Sequence, residues 1–232
     1  SDIPAIDPGE KTFQRAHELL AMGHIPEARE KLTTIVNIYP SSSSAPLARR
    51  IVGEINLDEV FSPLHMEGKS LHVVKPGDSF FGIAAKYDTT LGCMMKLNSM
   101  MTLKSLHPGD ELLVMPLNFR LLLEPKRQAL SVWNGGRFIR EYLVEQMGEG
   151  IPTTAKATTI TSKFAEYQGN NVPTTSANYR AADKIILIKN PPLQIRAITD
   201  DGEPLPGCIL LQPYDMEEIS LLTRVGNTIE IR

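Results

Sequence analysis

Apolar residues recur through the first sixty positions with the period of an α-helix. Phe13, Ala16, Leu19 and Leu20 make one stripe, which Gly23 ends. Pro26 stands where it can open a second helix, and Ala28, Leu32, Ile35 and Val36 form that helix's stripe up to Tyr39-Pro40. Ser41 to Ser44 make a turn, and Pro46 opens a third helix with Ala48, Ile51, Val52 and Ile55 as its apolar positions. Near residue 70 the pattern shortens. His72-Val73-Val74 reads as a strand that ends at the turn Pro76-Gly77. A helix follows, capped by Asp78 or Ser79, with Ile83, Ala84 and Tyr87 on one face. A second short helix carries Leu91, Cys93, Met94 and Leu97, and Pro108-Gly109 precedes a strand over 111–115.

From residue 118 the period is mostly that of strands. They are expected over 120–123, 128–133 and 138–144, the last two joined by Asn134-Gly135-Gly136. The polar stretch from Ser162 to Ala182 is expected as a long loop. Strands over 184–189 and 194–198, the core-like run Cys208-Ile209-Leu210-Leu211, a helix over 215–224 and a last strand over 228–231 complete the chain. In that helix Met216, Ile219, Leu222 and Leu221 face inward. The fold class expected is α+β and multidomain. A helical segment spans 1–61, a linker 62–70, a βααβ unit 71–116 and a mostly-β unit 117–232.

Composition narrows the function. Apolar content of 42% is enough for folded cores in a chain of 232 residues. A net charge of −3 without long runs of one sign argues against nucleic acid as a partner and against a basic membrane-binding face. No stretch approaches the roughly 18 apolar residues of a membrane span. No signal-peptide pattern is present, and the start at Ser1 in a Pro- and Asp-rich stretch leaves room for a removed leader or anchor. The two cysteines, Cys93 and Cys208, fall in different expected domains and have neither disulfide-framework nor zinc spacing. No metal and no cofactor is expected.

The segment from His72 to Pro116 resembles a LysM domain along its whole length. The matching pieces are Gly77-Asp78-Ser79, Ile83-Ala84, Leu97-Asn98 and the closing Pro108-Gly109-Asp110-Glu111-Leu112-Leu113-Val114-Met115-Pro116. The resemblance implies binding of peptidoglycan or another N-acetylglucosamine-containing glycan in a shallow groove between two loops. One loop is Gly77, Asp78, Ser79 and Phe80; the other runs from Asn98 through Met100, Met101, Thr102 and Leu103. Backbone N–H and C=O groups would bond the N-acetyl group over an apolar floor. The competing structural reading makes Asp78 a helix cap and Asn98 a turn anchor. One such module binds weakly, so useful attachment needs a second surface.

The pattern Leu20-x-x-Gly23, Ala28, Tyr39-Pro40 and a third helix resembles one tetratricopeptide repeat and the start of another. A single helical hairpin buries its own face poorly, so it is expected to dock on the rest of the chain or on a protein partner.

Residues 117–232 resemble an L,D-transpeptidase domain, the cysteine enzyme of peptidoglycan cross-linking. The resemblance lies in Trp133-Asn134-Gly135-Gly136, in Ile151-Pro152-Thr153-Thr154 leading to Ile160, in Gly207-Cys208-Ile209, in Asp215-Met216 and in Val225 to Ile231. Cys208 takes the nucleophile's place. The departures weigh more. Leu205 and Pro206 stand where the family has Ser and His, Leu210 where it has Arg, and Ile195-Arg196-Ala197 where it has Ile-His-Gly. All five histidines (His17, His24, His65, His72 and His107) precede residue 118. A thiol of pKa about 8.5 is only a few per cent thiolate at neutral pH without such a neighbour. Arg196 favours a thiolate by charge but cannot act as a base; His107 would have to reach over from the preceding unit. Cys208 is thus read three ways: a buried inert thiol, an exposed non-catalytic thiol, or a working nucleophile. The function expected is a cell-envelope, extracytoplasmic protein that binds peptidoglycan and carries a transpeptidase-like domain without catalysis. The alternative is an active L,D-transpeptidase or carboxypeptidase using Cys208.

Overall fold

The computed structural model describes residues 4–232; the first three residues of the expected helical segment lie outside the described residues. The chain forms two compact units. One comprises the chain up to Val60 together with Gly136–Glu141, the other Phe61–Gly135 with Tyr142–Arg232.

The first unit holds α1 (Pro8–Ala21), α2 (Ile25–Ile38) and α3 (Ala45–Phe61), and the first two follow the expected stripes. Asp7 caps α1: its Oδ1 accepts from the N–H groups of Gly9 and Glu10. Its Oδ2 accepts from Ser42 Oγ and from Ser43 N and Oγ, each at 3.0 Å, so one carboxylate clamps the serine turn onto the start of α1. Those donors, the Ser42 hydroxyl first, hold the Asp7 carboxyl down at about 2. Between α1 and α2, Gly23 takes the left-handed backbone that ends the helix. The buried face of α3 is displaced from the expected one. Ile51 and Ile55 are half-buried, while Val52, Gly53, Asn56 and Leu57 are buried. Gly53 admits Arg140, whose Cδ would stand 2.9 Å from a Cβ there. Asn56 Nδ2 donates to the carbonyls of Phe138 and Ile139 at 3.1 and 3.0 Å, and Arg49 pairs with Glu141 at 2.9 Å. Hydrophobic periodicity cannot reveal a face whose centre is a glycine and an asparagine.

The second unit begins with a linker tied down by Lys69, whose Nζ donates to the carbonyls of Ser62 and His65, each at 2.7 Å. The βααβ module follows: β1 (Ser70–Val73), α4 (Phe80–Lys86), α5 (Leu91–Leu97) and β2 (Glu111–Val114). β1 and β2 pair antiparallel with His72 opposite Leu112. Val74, Ile83, Ala84, Leu91, Met94 and Val114 form its core.

The remaining strands are β3 (Arg120–Glu124), β4 (Ala129–Asn134), β5 (Arg137–Leu143), β6 (Gln146–Met147), β7 (Lys156–Thr159), β8 (Ser162–Tyr167), β9 (Asn170–Asn171), β10 (Asp183–Ile188), β11 (Leu193–Ala197), β12 (Cys208–Leu211) and β13 (Thr228–Ile231), with α6 (Pro213–Leu222) before the last. One sheet runs β4-β3-β13-β7, with β13 parallel to β3; the other runs β6-β12-β11-β10-β8-β9, with β11 parallel to β12. Register aligns Lys163, Ile186, Ile195 and Ile209 on one face of the second sheet. Lys163 Nζ donates to the carbonyls of Ser220 and Thr223, each at 2.6 Å, so this is the face on which α6 lies. Met216, Ile219 and Leu222 of α6 are buried with those isoleucines. The loop expected over 162–182 is therefore in part a strand. Its polar look came from Lys163, which points inward and satisfies the carbonyl end of α6; only the residues after Asn171 stay irregular.

Candidate functional site

The two loops expected to hold a sugar differ in what their side chains do. Gly77 takes a left-handed backbone in the turn after β1. Asp78 Oδ2 accepts from Lys75 N at 2.9 Å and from His72 Nε2 at 2.8 Å. The Lys75 N–H, then the imidazole, hold the Asp78 carboxyl below the usual carboxylate range. His72 is 4% exposed, and its Nδ1 lies 2.8 Å from the Tyr87 hydroxyl. Ser79, not Asp78, caps α4, its Oγ accepting from Gly82 N at 3.0 Å. Phe80 packs on the module's core, as do Met100 and Leu103 from the second loop.

Asn98 closes that second loop. Its carboxamide donates to Met94 O and Leu113 O and accepts from Leu113 N, all at 2.8 Å. Ser99 then turns the chain with a positive φ. Met101, 63% exposed, and Thr102 are left facing solvent. Sequence reasoning missed Phe81, also 60% exposed, at the first turn of α4. The signal was the pair Phe80-Phe81: adjacent helical residues cannot both face one core.

Cys208 opens β12 and is 4% exposed. Its register partner is Gln194, and Leu210 pairs with Arg196, which puts these four on the face opposite α6. Backbone closes in around the thiol's strand. Gly148 N donates to Cys208 O at 2.8 Å, Gly207 N to Glu149 O at 2.7 Å and Gln194 N to Gly207 O at 2.9 Å. Gly207 has φ of 76°, and a Cβ there would stand 2.5 Å from Pro192 O. Arg196 directs its guanidinium at Gln194 Oε1 (3.4 Å) and at Glu166 Oε2 (3.5 Å). His107 lies in the turn before β2, its N–H donating to Asp110 Oδ2. Cys93 is fully buried on α5, and burial pushes its thiol up to about 11. Among the described residues no group of three or more His, Cys, Asp or Glu could hold a metal ion, and no helix is long and apolar enough to cross a membrane.

Residues 72–114 match the LysM domain family. No curated protein sequence matches the chain. Among solved structures it is similar to L,D-transpeptidase 1 of Mycobacterium tuberculosis, at 13% identity and a TM-score of 0.35, covering 51% of this chain and 64% of that one. An L,D-transpeptidase from Stackebrandtia nassauensis matches at 17% identity and a TM-score of 0.37, over 50% and 55% of the two chains. An Enterococcus faecium L,D-transpeptidase C442S mutant matches at 13% identity and a TM-score of 0.36, over 50% of each chain. The chain thus spans between a half and two thirds of the length of these structures. It carries a LysM domain at 72–114 and has structural similarity to L,D-transpeptidase domains over about half its length.

Proposed function

We propose that this is a cell-envelope protein that holds peptidoglycan, or another N-acetylglucosamine glycan, through its LysM domain, and that its C-terminal domain no longer performs cysteine chemistry. The LysM match at 72–114 carries the first half. Asp78 with His72 and Asn98 with Leu113 anchor the two loops, and loops held before binding lower the ordering cost of taking a sugar between them. The second half rests on the histidine-free stretch after residue 117, on the burial of Cys208, and on Arg196 being turned toward Glu166 and Gln194. A thiol without a base and without solvent access is a poor nucleophile.

Co-sedimentation with insoluble peptidoglycan, competed by soluble N-acetylglucosamine oligomers, tests the first half; a folded protein that stays in the supernatant sinks it. Intact mass after incubation with tetrapeptide muropeptides, and separately with a carbapenem, tests the second. An unmodified mass is expected, and an adduct mapped to Cys208 would mean that the nucleophile works, as the transpeptidase or carboxypeptidase alternative requires.

A further inference from the structure

A cavity of about 1210 Å³ lies within the second unit. One wall is α4, α5 and the loop Ser99–Leu103; the other is β8, the irregular segment after Asn171 and α6. It exceeds the roughly 300–1,000 Å³ of ordinary small-molecule sites, as an extended occupant requires. Lys163 and Lys184 place it on the α6 side of the sheet, whereas Cys208 lies on the opposite face.

Its charges are one-sided. Four cations, Lys96, Lys163, Arg180 and Lys184, line it against a single carboxylate, Glu217. Lys184 Nζ neutralises Glu217 at 2.9 Å and also donates to the carbonyls of Tyr179 and Ala182. Lys163 is engaged by the end of α6. Lys96 and Arg180 are the exposed cations of the lining, one on each wall, and the Lys96 ammonium rests 5.8 Å from the centroid of the Phe61 ring. Between them the lining alternates apolar side chains (Phe81, Leu103, Val172 and Leu221) with hydroxyls such as Thr174 and Ser176. The Arg180 guanidinium lies against Met101 Sδ, so the second wall meets the LysM loop at its outward-facing residue. That mixture suits a short acidic peptide: hydroxyls for its amides, apolar patches for small side chains, two cations for its carboxylates.

We propose that the cavity takes acidic peptide substituents of a glycan strand whose sugar is seated between the two LysM loops. The inference rests on the glycan reading above, because Met100 to Leu103 are at once one edge of the groove and one wall of the cavity. It supplies the second contact that a weak single module needs.

The test is calorimetric titration of the whole chain with a peptidoglycan tetrasaccharide bearing its peptides and with the same tetrasaccharide stripped of them. The peptide-bearing ligand should bind about tenfold tighter. The double variant Lys96→Glu, Arg180→Glu, at two exposed positions, should bring the two ligands to parity. Equal binding of both ligands by the unaltered protein, or a preference that survives the double variant, would overturn the proposal. Peptide-dependent binding with no affinity for the stripped sugar would support the cavity and remove the groove. Failure of both ligands to bind would end both readings.

Discussion

The carboxamide of Asn98 pairs with the backbone of Leu113 as a neighbouring strand would, donating to its carbonyl and accepting from its N–H at 2.8 Å each way. One side chain thus extends the two-stranded sheet by a rung and fixes where the second LysM loop begins. Asn98→Ala leaves both groups of Leu113 without that partner. The expected loss is about 2 kcal/mol of stability, by the cost of buried polar groups left unpaired. Urea unfolding followed by circular dichroism reads it; an unchanged midpoint would mean water replaces the carboxamide at no cost.

Asp78 and Asp7 give the protein an acid-side weakness. Both carboxyls are lowered in the folded state, from an ordinary 3.8. Their stabilisation is present above that value and is lost as pH falls through the folded value, about 2 for Asp7. Unfolding midpoints measured between pH 6 and pH 2 should fall below about pH 4, and Asp78→Asn and Asp7→Asn should each flatten part of that slope.

Lys163 acts at the other end of the scale. Burial, then the nearby Lys184 charge, lower its ammonium from 10.5 to about 8. The unfolded chain binds this proton more tightly, so stability should rise with pH from about 8 towards 10.5. Cys93, raised from 9.0 to about 11 by burial, opposes the trend above pH 9. The slope is therefore cleanest between pH 8 and 9, or in a Cys93→Ala background. Lys163→Met should abolish it; a slope that persists would assign it to another group.

The strand start at Cys208 depends on Gly207. Alanine there combines a left-handed backbone with a Cβ 2.5 Å from Pro192 O. A loss of about 2–4 kcal/mol is expected, since neither backbone can yield cheaply. Cys208 should then alkylate with iodoacetamide far faster in Gly207→Ala than in the unaltered protein, whose thiol should react only on unfolding. Rapid alkylation of the native, unaltered chain would contradict the burial described here.

Much of this was legible before any coordinates. The helices of the first unit, the LysM module and the last strand lie where periodicity and Pro-Gly turns put them, because those signals are local and repeat every two or four residues. Cys93 read as core for the same reason. What failed shares a cause: polar residues whose partners are distant in sequence. Lys163 made a strand look like a loop until Ser220 and Thr223 supplied acceptors from α6. Asn56 broke an apolar stripe and was buried nonetheless, against the carbonyls of Phe138 and Ile139.

The same division runs through the candidate sites. Residue identity alone carried the LysM motif, the lone cysteine of the last domain and the absence of histidine after residue 117, since each is read directly from the order of residues. Which loop residues face outward, which face of the sheet holds Cys208, and the cationic cavity between α5 and α6 arise only when separate segments of the chain are packed together. Burial and hydrogen-bond partnership are properties of neighbours in space, and a linear pattern records neighbours in sequence.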